Sequence, residues 1–151
     1  WGVTAFGGNG NGVFGPGTNL TTQRYNTAAA VPASGGQENN LFWMHLRLAG
    51  FVGGSTDTTS GASMQQPSNS VNGIVGVQTG GMGFTSNIIC TSNLPDKVAI
   101  AVDTQVDDGS ALRGHVRGQL QTAPNENAGA VVPTVEFQET GTNQYLLCKN
   151  L

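Results

Sequence analysis

The stretch that most limits the fold of this chain runs from Cys90 to Leu120, CTSNLPDKVAIAVDTQVDDGSALRGHVRGQL. Its parts come in a fixed order: a cysteine, an apolar segment launched by a proline, an acidic turn at Asp107-Asp108-Gly109, and a strand-like tail. Ser92 or Asn93 is placed to act as an N-cap. Pro95 suits the first helical turn, where its missing N–H would have no partner, and Asp96 meets the positive end of the helix dipole. Leu94, Val98, Val102 and Val106 fall four apart, Ala99 fills the same face, and Asp103 and Asp107 lie beside it. A strand is the competing reading, because Val98, Ile100 and Val102 also alternate with alanines. The start signals favour a helix. Gly109 ends it by taking the left-handed conformation, and His115 to Leu120 alternates as a half-buried strand would.

A chain of 151 residues suits one domain with a core of its own. Only 10% of its residues are charged while 23 are glycine, so its surface is polar without being ionic. A net charge of −3 beside 37% hydrophobic residues separates it from disordered chains. Six basic side chains against nine acidic, with no basic cluster, leave no footprint for a phosphate backbone, which excludes nucleic acid as a partner.

Cys90 and Cys148 are the only cysteines. In a chain so poor in lysine and glutamate an extracytoplasmic setting is plausible, and there a lone pair bridges. Two buried thiols are the alternative. A bridge would tie the C-terminal strand to the start of the organising stretch. Zinc needs more ligands than two cysteines and two scattered histidines offer.

The glycine-rich segment from Trp1 to Gly36 has no lasting period. Gly8 to Val13 has the outline of a calcium loop, but Asn9 and Asn11 are neutral, so a structural turn made by Asn-Gly pairs is the better reading. Asn19-Leu20-Thr21 is an N-glycosylation sequon. From Glu38 to Ala49, Leu41, Trp43, Met44, Leu46 and Leu48 make a broad apolar stripe that stops at Gly50, a helix that needs a packing partner. His45 has Ala49 at i+4, and so no second ligand for a metal.

Gly53 to Asn72 is a long Ser/Thr/Gly/Gln loop. Beyond it, Ile74-Val75-Val77 and Phe84-Ile88-Ile89 are short apolar runs around Gly80-Gly81, a hairpin signal. With His115 to Leu120, Val131 to Phe137 and Tyr145 to Cys148 they make about four to five candidate strands. The inventory is α+β: an antiparallel sheet with short helices to one side and long Gly/Ser/Thr/Asn-rich loops.

Several islands of this sequence share one resemblance. They are Leu94-Pro95, Lys97, Ala99, Val102-Asp103, Gln105-Val106-Asp107-Asp108-Gly109, Gly114 and Val116-Arg117, preceded by Trp1-Gly2, the Gly8-to-Gly12 loop, and Glu38 with Phe42-Trp43, His45-Leu46 and Ala49-Gly50. In this order they resemble type IV pilin-like and type II secretion pseudopilin-like proteins. The resemblance implies a single pilin-like head over residues 1–151 and a C-terminal region closed by the Cys90–Cys148 disulfide. Family members also carry a long N-terminal apolar helix that anchors them in the inner membrane and later forms the filament core. No run of about 18 apolar residues exists here, so any membrane association would depend on a helix absent from this chain.

The function so implied is a structural subunit of an extracellular, cell-surface filament, polymerising with copies of itself or other pilin subunits and catalysing nothing. Without the anchoring helix, an apolar sheet face is expected to lie bare and to serve as the interface. The loop after Gly53 becomes a filament-surface loop with Ser55, Thr56, Thr58, Thr59 and Ser60 as sites for O-linked sugar. Because some pseudopilin heads bind calcium near their C-terminus, Asp103, Asp107 and Asp108 are calcium candidates. The residues alone give these aspartates local roles: Asp107 or Asp108 accepting from the turn backbone, Asp103 pairing with Arg113 or Arg117.

Two other function classes compete. A secreted carbohydrate-binding or adhesive β-rich module would use Trp1, Tyr25 and Trp43 as exposed stacking platforms, whereas a packing role predicts Trp43 buried. A hydrolase would need a carboxylate pair lining a cleft. No G-x-S-x-G elbow accompanies His45 or His115.

Overall fold

The structure, a computed structural model, describes residues 7–14, 23–30 and 37–151. Two helices, α1 (Glu38–Leu48) and α2 (Asp96–Val106), accompany four strands, β1 (Val75–Gly81), β2 (Phe84–Pro95), β3 (Val116–Leu120) and β4 (Gln144–Asn150). The strands form one antiparallel sheet in the order β1-β2-β4-β3, an α+β fold.

Cys90 lies directly opposite Cys148 in the β2–β4 ladder, and the two are bonded. Alternation about this pair sorts the core into two clusters. Ile88, Cys90, Leu146 and Cys148 pack with Tyr25, Met82 and Ala128, while Leu94, Tyr145, Leu147 and Val116 pack with Ala99 of α2. β4 is therefore buried on both sides, from Tyr145 to Cys148. Among the described residues the bare apolar sheet face expected from the sequence is not found, because loop residues cover one face of the central strands and α2 the other. A third cluster, Leu41, Met44 and Met64, joins α1 to the short turn Ala62–Met64.

β2 is longer than its apolar run because a register shift between Thr91 and Leu94 lets it turn without ending. Ser92 and Asn93 occupy that shift, with Asn93 at φ 59°. They are strand residues and not the N-cap of α2. Ser92 Oγ donates to Asn125 Oδ1 at 2.6 Å, and Asn93 Oδ1 accepts from the Asn125 N–H at 2.8 Å, so this buried pair pins the loop after β3. Pro95 takes the cap position itself, with φ −54° and ψ 147°.

The β1–β2 hairpin turns at Met82-Gly83, whose φ values of 50° and 77° give the left-handed pair that such a turn needs. Gly80-Gly81, the pair expected at the turn, instead closes β1, where the register shifts between Thr79 and Gly81.

Val131 to Phe137, expected as a strand, forms no ladder. Pro133 removes a donor, and the segment is held from its flanks and by one carboxylate. Upstream, Met82 N–H and Gly83 N–H donate to Gly129 and Ala130 carbonyls. Downstream, Phe137 packs edge-on against Tyr145 with ring centres 5.1 Å apart, and Tyr145 Oη accepts the Gln138 N–H at 2.8 Å.

The Gly8-to-Gly12 loop is a run of Asn-led turns. Asn9 Oδ1 accepts from Asn11 N–H and Asn11 Oδ1 from Val13 N–H, each at 3.0 Å, while Glu38 Oε1 takes the Asn9 N–H at 2.7 Å and ties the loop to α1.

Candidate functional site

The acidic turn is built by the end of α2. Asp103 occupies the inner side of the helix and is wholly buried. Its Oδ1 accepts the N–H of Gly109 at 2.9 Å, which is reachable because Gly109 takes φ 77° and folds the chain back. Asp107 Oδ2 accepts from His115 N–H and, at 2.8 Å, from Val116 N–H, so it starts β3. A Cβ at Gly114 would stand 1.9 Å from that oxygen, so only glycine fits there. Asp108 Oδ1 accepts from Ser110 N–H at 2.9 Å. The expected turn-capping roles of Asp107 and Asp108 are thus both present.

A fourth carboxylate, which sequence spacing did not point to, completes the cluster. Glu136 Oε1 accepts from Ser110 Oγ at 2.8 Å and its Oε2 from Ala111 N–H at 3.0 Å. It binds the irregular Val131-to-Phe137 segment to the turn across 25 residues of chain. A lone glutamate in a run expected as strand gave no sign of this.

Asp103 pairs with neither Arg113 nor Arg117. Arg117 lies 4.1 Å over the Phe84 ring and donates to the Met82 carbonyl at 2.7 Å. Burial pushes the Asp103 carboxyl up from 3.8 to about 6, and the charges of Asp107, Asp108 and Glu136 add to the effect. Its Oδ2 has no hydrogen-bond partner. One oxygen from each of Asp103, Asp107 and Asp108 lies within 4.8 Å of the others, a hard-oxygen set of the kind a divalent cation takes. Each carboxylate spends one oxygen on backbone N–H groups of the turn or of the start of β3 and keeps the other for a further partner.

The outer side of α2 corrects the sequence reading most. Val98, Val102 and Val106, four apart, are 42%, 39% and 52% exposed, while Ala99 and the charged Asp96 and Asp103 face inward. Buried carboxylates on this helix accept backbone N–H groups from neighbouring loops. Asp96 Oδ2 takes those of Thr140 and Gly141 at 2.7 and 2.6 Å, and these bonds, Gly141's first, hold its carboxyl below the ordinary value.

Of the sugar-attachment candidates, Ser55 and Thr56 are exposed. Thr58 is buried and is withdrawn as a site, since a transferase cannot reach it. Thr59 and Ser60 are exposed but donate their hydroxyls to Asp57, whose carboxyl falls to about 2 as a result. Asn19 and Trp1 lie outside the described residues. Trp43 is 4% exposed and Tyr25 fully buried, so neither is a stacking platform. No described helix is long and apolar enough to cross a membrane.

Neither a family model, nor a curated protein, nor a solved structure matches this chain.

Proposed function

We propose that this protein is a structural subunit of an extracellular filament, the globular head of a type IV pilin-like or pseudopilin-like protein, assembling with copies of itself or related subunits. The observation that carries the reading is the valine row of α2. A domain that buries carboxylates on the inner side of a helix while leaving Val98, Val102 and Val106 outward has placed apolar surface where a neighbour can cover it. That helix is formed by the segment in which the pilin resemblance is densest. The interface moves accordingly from the sheet face to the outer side of α2, and a head-to-tail contact that does not close generates a helical polymer.

Burial of Trp43 and Tyr25 speaks for packing over sugar stacking. The experiment expresses the full-length precursor in a pilus-assembling bacterium and examines sheared surface fractions by electron microscopy. Wild-type filaments are expected, with few or none from a Val98→Asp/Val102→Asp/Val106→Asp variant whose purified head melts as wild type does. Filaments of normal number from that variant would exclude α2 as the contact, and a wild-type protein found only as free monomer would exclude the filament.

A further inference from the structure

Arg47 stands in the last turn of α1 and is 8% exposed. Its Nε donates to the Gly53 carbonyl at 3.2 Å and its Nη1 to the Ser63 carbonyl at 2.6 Å. Both acceptors are neutral. A guanidinium offers five N–H donors, so three are left with no acceptor from the protein. No carboxylate pairs with it, because the single side-chain ion pair among the described residues joins Lys97 to Glu139. Residues 1–6, 15–22 and 31–36 contain neither Asp nor Glu, so the rest of this chain has no acid to offer. Burial lowers the guanidinium's pKa from its ordinary value. A buried charge is ordinarily paired, and this one is not.

Arg47 also lines a cleft of about 460 Å³ together with Gly54, Ser55, Gln65, Gln66 and Ser68. That size lies within the ~300–1,000 Å³ range of small-molecule pockets. Gly54 adopts φ +130°, and a Cβ there would come within 2.6 Å of Arg47 Nε, so glycine is what lets the loop lie against the cation. The lining holds hydroxyls and amides, with no aromatic ring and no acid. One cation suits one anionic group, and a planar carboxylate matches the guanidinium fork. Neutral hydrogen-bonding groups around it suit hydroxyls.

We propose that the cleft beside Arg47 binds a small hydroxylated carboxylate of the uronic-acid class, its carboxylate on the free guanidinium N–H groups and its hydroxyls on Ser55, Gln65 and Ser68. The site is independent of the α2 surface and of filament assembly.

The test is an amide-resolved NMR titration of the disulfide-bonded protein with glucuronate, glucose and acetate at matched ionic strength. Saturable shifts are expected at Ser55, Gln65 and Ser68 with glucuronate, none with glucose, and weaker binding of acetate at the same amides. Arg47→Lys is expected to weaken glucuronate at least tenfold. Because Arg47 also braces the loop, Gln65→Glu provides a second arm: its side chain makes none of Arg47's hydrogen bonds, so the melting temperature should hold while affinity falls at least tenfold. Shifts that glucose reproduces, shifts confined to other amides, or wild-type affinity in both variants would overturn the site. Acetate binding as tightly as glucuronate would overturn the hydroxylated-acid assignment.

Discussion

Replacing Asp103 by asparagine should make the protein more stable at neutral pH. The carboxyl is fully buried, keeps one oxygen unpartnered, and faces three other acids, which together with burial raise its pKa from 3.8 to about 6. An acid whose folded-state pKa exceeds its unfolded one binds more protons when folded, so stability falls as pH rises through the window from 3.8 to about 6 and the full penalty stands above it. At about 1.4 kcal/mol per pKa unit the penalty reaches about 3 kcal/mol. Asparagine keeps an oxygen for the Gly109 N–H and carries no charge, while its amide has its own desolvation cost of ~1 kcal/mol. A net gain of about 1–2 kcal/mol is expected at pH 7.5 in the presence of a chelator, lost or slightly reversed at pH 4. Urea unfolding followed by the fluorescence of buried Trp43 measures both. A variant destabilised equally at the two pH values, or a gain that does not change with pH, would refute the electrostatic account.

Removing the disulfide by Cys90→Ser/Cys148→Ser is expected to cost roughly 4 kcal/mol, since the bridge closes a loop with a sequence separation of 58; urea midpoints with and without reductant test it. Asp96→Asn should release the loop it holds, read as lost hydrogen-exchange protection at Thr140 and Gly141. Because that carboxyl's pKa is lowered on folding, its contribution is present above the ordinary carboxylate range and disappears as pH falls below it, opposite in sign to Asp103. Millimolar calcium is expected to leave the melting temperature unchanged to within about a degree, because the three turn aspartates already serve backbone N–H groups; a rise of several degrees would make the turn a cation site.

The α+β class and both helices were legible because each rests on local signals: a proline start, a glycine stop, alternation in short apolar runs. The inward side of α2 was not. Spacing alone put the valines and Ala99 on one face and could not say that backbone donors, from a distant loop for Asp96 and from the turn after the helix for Asp103, would draw both carboxylates inside. Ser92 and Asn93 failed as caps for a related reason, since a strand that shifts register can bury Ser and Asn if a distant loop satisfies them. Glu136 illustrates the same limit. Its partners lie 25 and 26 residues away, and nothing near it in sequence announces them.

The placement of β4 has a consequence for biogenesis. Among the described residues it is synthesised last, yet it is the only strand that touches β3, and it separates β3 from β2. Without those seven residues β3 lacks its native neighbour and β2 presents an unpaired edge. The four-stranded sheet is therefore incomplete until β4 is in place, and the disulfide then fixes that strand to β2.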